Sequence, residues 1–438
     1  MKKISKMVMV FSLVPCICCL FTACNHGFGK DLPLNVKMDS GTKNLYDYDR
    51  PLEVHCFDDS VVNYYDYDEE HVNAVLTDFA VKMFQKNLED TEHEKKNILI
   101  SPTSIATALG MTSFGAKGDT LTQMEDVFGV SRGNLNRYNS EYLRKDSDEI
   151  KFANSIWFTN DKRLTVKNEF LQFNEETYGA DLYETAFNDA TVDAINQWVE
   201  LNTDGMIQDV LDEIPQDAVM YLINALVFEA EWEEKYDSIQ IRSERDFTTA
   251  TGEKQKVDMM CSDEVLYLCD DNATGFVKYY KDKNYAFAAL LPNESMDVYS
   301  YANTLTGEHL QNVLANPMMI NVDVQIPQFS YEYDVEMSGI FADFGMIDAF
   351  DSDKADFSNM ATSTRGNIYI SRVLHKTFIE VTPVGTKAGA ATVVEANDTG
   401  MGFVEQTKVV YLDRPFIYMI IDCENNQPVF IGAVNSVE

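Results

Sequence analysis

The chain has 438 residues, with 71 acidic against 35 basic side chains and a formal net charge of −36. That balance disfavours nucleic acid as a partner, because phosphate contacts need clustered Lys and Arg. It favours solubility and encounter with basic partners, and the length is ample for one large core.

Lys2, Lys3 and Lys6 precede an apolar run from Met7 to Leu20, and the small residues Thr22 and Ala23 lead into Cys24. A basic head, a short apolar stretch and small residues before a cleavage point make a secretory signal. The run is short for a bilayer-spanning helix. Ending in Ala-Cys, it resembles a bacterial lipoprotein signal, which implies removal of residues 1–23 and a lipid on Cys24, the new N-terminus. Phe21 stands where such signals often carry Leu, and an uncleaved anchor is the alternative. Either way the chain is expected outside the cytoplasm, held to the outer membrane or cell surface. Residues 24–69 include YDYDRP (46–51) and run into NYYDYDEE (63–70) without sustained periodicity. They read as an acidic, solvated tether, with a carbohydrate- or partner-binding role for the tyrosines as the alternative.

A folded unit is expected over 70–438. Val72, Val75, Leu76, Phe79, Ala80, Met83 and Phe84 fall at three- and four-residue steps, an amphipathic helix of about four turns. Pro102 suits the first turn of a second helix with Ser101 as its cap. Leu121, Met124, Val127 and Phe128 mark a third. Residues 150–158 read as a strand, and helical patterns return near 165–178 and 188–203. From about 218 the sequence becomes mostly strands, with hairpin turns at Asp271-Asn272 and Lys281–Asn284 and short helices near 296–304 and 333–344. Helices first and strands later predict an α+β protein with large mixed or antiparallel sheets and about eight or nine helices.

The run from Val384 to Ala396, VGTKAGAATVVEA, lies between two strand-like segments. Alternate residues from Thr386 are Ala388, Ala390, Thr392, Val394 and Ala396, all small or β-branched and uncharged. The other set holds both charges, Lys387 and Glu395. Strand side chains alternate between faces, so one face suits burial and the other tolerates water. A solvent loop needs no such pattern; a loop that can later enter a sheet does.

The stretch 375–392, HKTFIEVTPVGTKAGAAT, resembles the hinge of a serpin reactive-centre loop. Residues 97–120 (NILISPTSIATALGMTSFGAKGDT), 195–209 (INQWVELNTDGMIQD) and 222–232 (LINALVFEAEW) also resemble serpin segments. So do Ile326–Phe329, Arg414–Phe416 and Val429–Gly432, in the family's order. The resemblance implies a serpin-like fold with an exposed reactive-centre loop at about 384–407. It implies a suicide-substrate inhibitor of a serine or cysteine protease, which is trapped as an acyl-enzyme when the cut loop inserts into the central sheet. The hinge would be Gly385, Thr386, Ala388, Ala390 and Thr392. The shutter that gates the sheet would be Ser101, Ser104, Asn224 and His375, with a buried Asn–His hydrogen-bond network between strands. In the family the hinge Gly commonly lies fifteenth before the cut bond, counting inclusively, which gives Thr399–Gly400. Met401, Phe403 and Val394 are the alternatives. Two residues depart from the family pattern: Pro383 replaces an acidic residue and cannot donate a ladder hydrogen bond, and Lys387 replaces a Glu. A non-inhibitory serpin, acting as a surface binding or scaffold protein, is the alternative function.

Of the eight cysteines, Cys16, Cys18 and Cys19 lie in the signal. Cys56, Cys261, Cys269 and Cys423 remain, and two disulfides are allowed in an oxidising compartment. Cys261 and Cys269 could pair across a hairpin, while Cys423 in an apolar strand reads as a buried free thiol. Among Cys56, Cys261, Cys269 and Cys423 there is no Cys-x-x-Cys, and the chain has no Gly-x-Ser-x-Gly elbow, no His-Glu-x-x-His helix and no phosphate-cradling Gly-rich loop. Neither an enzyme, a metal nor a cofactor is expected, and the chain reads as a monomer.

Overall fold

The structure, a computed structural model, describes residues 67–145, 147–386 and 407–437. The reactive bond and its alternatives, Ala388, Ala390, Thr392, Cys24 and Cys56 lie outside the described residues. The first element, α1 (Glu69–Asp90), starts where Asp68 accepts the His71 N–H. It is longer than the expected four turns and buries Val72, Phe79, Met83 and Phe84, as their spacing requires. β1 (Ile98–Ile100) leads into α2 (Pro102–Ser113), with Pro102 in the first turn and the Ser101 hydroxyl accepting the Ser104 N–H.

The helix-rich half continues through α3 (Gly118–Phe128), α4 (Arg132–Tyr142), β2 (Ile150–Thr159), β3 (Leu164–Val166), α5 (Asn168–Tyr178), β4 (Asp181–Thr185) and α6 (Asp189–Asn202). Strands then dominate: β5 (Met220–Phe228), β6 (Ala230–Glu231), β7 (Ile241–Thr248), β8 (Lys254–Cys269), β9 (Ala273–Tyr279) and β10 (Tyr285–Pro292). After α7 (Val298–Ala302) and α8 (Gly307–Ala315) come β11 (Met318–Pro327), β12 (Phe329–Glu336), α9 (Ser338–Asp343), β13 (Ala361–Ser363) and β14 (Leu374–Val381). β15 (Gly385–Thr386), β16 (Lys408–Tyr411), β17 (Phe416–Asp422) and β18 (Gln427–Val434) complete the described chain.

Most elements fall where the sequence predicts them, and the α+β reading holds, with nine α-helices among the described residues. The two hairpin turns join β8 to β9 and β9 to β10. Two corrections concern periodicity. The expected helix near 333–344 is a strand up to Glu336, and only 338–343 is helical. Period-two alternation of Phe329, Tyr331, Tyr333 and Val335 governs its first part. Helices α4 and α8 had no sequence prediction. The first, RGNLNRYNSEY, is so polar that its apolar stripe reduces to Leu135, Tyr138 and Tyr142.

One sheet has the order β1-β18-β17-β10-β9-β8-β11-β16, with β7 also on β8. Its Phe287, Tyr418 and Ile420 centre the larger core. The central sheet comes in two parts, β4-β2-β5 and β12-β14-β15-β6. A second core, with Trp157, Ile195 and Trp198, holds α6 against the first part. No described helix is long and apolar enough to cross a membrane.

Candidate functional site

The two parts of the central sheet leave a slot between β5 and β14. Neither strand pairs with the other, and no described strand lies between them below β15. The slot is a cleft of about 640 Å³ whose walls include Asn224, Leu226, His375 and Thr377 and whose floor includes Ser104 and Ile105 of α2. At one end it is closed. There β15 pairs antiparallel with β14 on one side, Val381 opposite Thr386, and with β6 on the other, Gly385 opposite Glu231 and Thr386 opposite Ala230. Because β6 continues β5 through Glu229, β5 and β14 run in the same direction. A strand prolonging β15 down the slot would be antiparallel to both.

The hinge is held by a clamp of aromatic residues. The Trp232 indole N–H donates to Thr382 O at 2.8 Å, and its backbone N–H donates to Val384 O at 2.9 Å. The Tyr236 N–H donates to Pro383 O at 2.9 Å. Trp232 stacks on Tyr280, with ring centroids 4.6 Å apart, and the Tyr280 hydroxyl lies 2.6 Å from Thr386 Oγ1. Thr386 is 2% exposed, so this position points inward as the alternation predicts. Gly385 is sterically required: a Cβ there would lie 2.0 Å from Ala230 O. Pro383 causes no defect in the ladder. It sits in the turn between β14 and β15, closed by the Thr382 N–H donating to Gly385 O at 2.9 Å, a place where a missing N–H costs nothing.

The shutter residues meet at the other end of the slot. The Ser101 N–H donates to His375 Nε2 at 3.1 Å, and Ser101 Oγ donates to Val429 O at 2.9 Å. Ser104 Oγ donates to Asn224 Oδ1, and Asn224 Nδ2 donates to Asn154 Oδ1 at 2.8 Å. Asn154, which the sequence reading missed, donates onward to Tyr178 O. Thus α2 holds both lips, but the expected bond between Asn224 and His375 is not made, because the slot separates their strands. Burial pushes the His375 imidazole down to about 4, so it is neutral and can accept the Ser101 N–H.

At the far root of the loop, β16 runs parallel to β11, Val322 opposite Lys408, and so anchors the chain as it returns. The proposed Cys261–Cys269 pairing is overturned: both thiols are free and lie on one long strand, β8, not across a hairpin. Cys423 is free as well, just beyond β17 and half-buried, and burial pushes its thiol up to about 12. Among the described residues no cluster could hold a metal ion.

The serpin (serine protease inhibitor) family model matches residues 74–437, and the chain belongs to that family. Serpin B10 of Sorex araneus is 30% identical over 398 residues, covering 82% of this chain and 97% of its own length. The thermophilic serpin tengpin in its native state is 42% identical with a TM-score of 0.77, covering 84% of this chain and 95% of that one. The same protein in its latent state is 41% identical with a TM-score of 0.74, covering 85% and 99%. The fold is therefore the serpin fold, and serpins are in general inhibitors of proteases rather than catalysts.

Proposed function

We propose that this chain is a suicide-substrate inhibitor that traps a serine or cysteine protease by inserting its cut loop into the slot. The protease nucleophile attacks a loop carbonyl, the downstream amine departs, and an acyl-enzyme remains. The loop then prolongs β15 before water can finish the reaction. The carrying observation is register. If the ladder continued without a bulge from the pairs Thr386–Val381 and Thr386–Ala230, insertion would bring Ala388 between Ile379 and Phe228, Ala390 between Thr377 and Leu226, and Thr392 between His375 and Asn224. All of those partners except Asn224 are buried, and directly opposed residues share a face. The small set of the loop would therefore meet the inward face of both walls on insertion. The seven residues of β14 below Val381 give a slot about 23 Å long at about 3.3 Å per residue.

On insertion the same register would bring Lys387 between Glu380 and Glu229 on the outer face. The basic residue that departs from the family pattern would then meet two carboxylates flanking the slot. Thr399–Gly400 is the proposed bond, with Met401, Phe403 and Val394 as alternatives, and the chain acts as a monomer. Residues 1–23 are proposed to be removed and Cys24 lipidated, tethering the inhibitor through residues 24–69. Mass spectrometry of the N-terminal peptide should then show chains that begin at a lipid-bearing Cys24, and a Cys24→Ala variant should lack that lipid mass. The main test is incubation with a panel of serine and cysteine proteases followed by denaturing electrophoresis and mass spectrometry. A denaturant-resistant conjugate cut within 387–406 is expected. No conjugate with any protease, and no gain in heat resistance after nicking, would overturn the reading in favour of a non-inhibitory binding protein.

A further inference from the structure

A buried charge pair lies beneath the hinge clamp. Lys278 of β9 is 4% exposed, and its Nζ lies 2.7 Å from Glu264 Oε1 on the adjacent strand β8. The ammonium also faces two rings, at 4.7 Å from the Tyr236 centroid and 5.7 Å from that of Trp232. Ser262 Oγ donates to the same Glu264 oxygen at 2.7 Å and lies 3.1 Å from the Tyr236 hydroxyl. Tyr236 is thereby fixed at its hydroxyl and over its face, and Trp232 is fixed between Lys278 and Tyr280. These are the two residues whose N–H groups hold Thr382, Pro383 and Val384.

Stability alone does not explain the pair. Desolvating two charges offsets most of their attraction, and apolar residues of similar volume are often as good or better. What an apolar side chain cannot supply is a cation that attracts two ring faces at once. We propose that Lys278, neutralised by Glu264, is a positioning residue that orients Trp232 and Tyr236 so that the hinge turn stays seated for insertion. This rests on the insertion reading above.

The test follows insertion itself, as the time course of acquired heat resistance after the loop of the full chain is nicked by a broad-specificity protease. The double variant Lys278→Met with Glu264→Leu removes both charges and leaves neither buried alone. It is expected to unfold cooperatively when intact but to acquire heat resistance about 30-fold more slowly, the scale of one desolvated cation–π contact. Lys278→Gln, which keeps a hydrogen bond to Glu264 without the charge, should show the same slowing and decides the matter if the double variant does not fold. Lys278→Arg, which can pair with the carboxylate and stack on rings, should restore the wild-type rate. Wild-type rates in the uncharged variants, or slowing in Lys278→Arg equal to theirs, would overturn the role of the cation. A wild-type chain that acquires no heat resistance at all would instead sink the insertion reading and this inference with it.

Discussion

Gly385→Ala is the most direct perturbation of the seated hinge. The added methyl would lie 2.0 Å from Ala230 O and 2.8 Å from Glu231 Cα. Both are backbone atoms of β6, so neither can swing aside like the end of a side chain. The contact is relieved only if β15 lifts from β6. Lifting breaks the Trp232–Val384 backbone bond and the Thr386–Tyr280 hydroxyl bond. At about 0.5–1.5 kcal/mol each, these set a ceiling of roughly 3 kcal/mol. If about 2 kcal/mol of that appears in the barrier to insertion, the step slows roughly 30-fold. The intact fold should change little, because the remaining core does not depend on these two residues. The assay pairs thermal unfolding of the intact variant with the yield of denaturant-resistant protease conjugate. A low yield with most of the variant cleaved and released is the expected outcome. Wild-type yield with an unchanged insertion rate would refute the steric argument.

Thr386→Arg should turn the inhibitor into a substrate, because Thr386 is 2% exposed and an unpaired guanidinium there costs several kcal/mol; Ala388→Arg should do the same in the prolonged strand. A stable conjugate with either variant in denaturant would contradict this. Lys387→Glu should slow insertion by placing three carboxylates side by side, with directly opposed charges contributing about 0.2–1 kcal/mol each; salt should narrow the gap between variant and wild type. The His375 imidazole is pushed from 6.5 down to about 4 in the fold, so between those pH values the unfolded chain binds the extra proton. Stability should fall as pH drops through that window, by about 3 kcal/mol. Denaturant titrations at pH 7 and pH 4 check this, and His375→Gln, which can still accept the Ser101 N–H, should lose that part of the slope.

Much of this arrangement was legible because it is local. The Ser101-Pro102 helix start is written in capping chemistry, and the inward set from Thr386 is written in strand alternation. The clamp was harder to read. Trp232 stood within a recognised segment, but Tyr236, Tyr280 and Lys278 become neighbours only when β6 and β9 converge on the hinge. Pro383 looked like a fault when taken as a ladder residue, and the turn that accommodates it depends on the position of Gly385. The separation of Asn224 from His375 was not legible at all. Sequence names the partners of a network, while the width of the slot depends on how α2 and α6 hold the two halves of the sheet. The cysteine pairing failed for a related reason, since nothing in the spacing of Cys261 and Cys269 shows that one strand is sixteen residues long.

That β5 and β14 point the same way has a consequence for molecular self-defence. Two parallel lips accept an intruding segment only with one polarity if both ladders are to be antiparallel, the somewhat stronger geometry. The two-residue stub fills only the end of the slot where Thr386 faces Val381 and Ala230, so the unpaired edges beyond it stay open to a guest of that one polarity, the kind of edge that invites pairing with another chain.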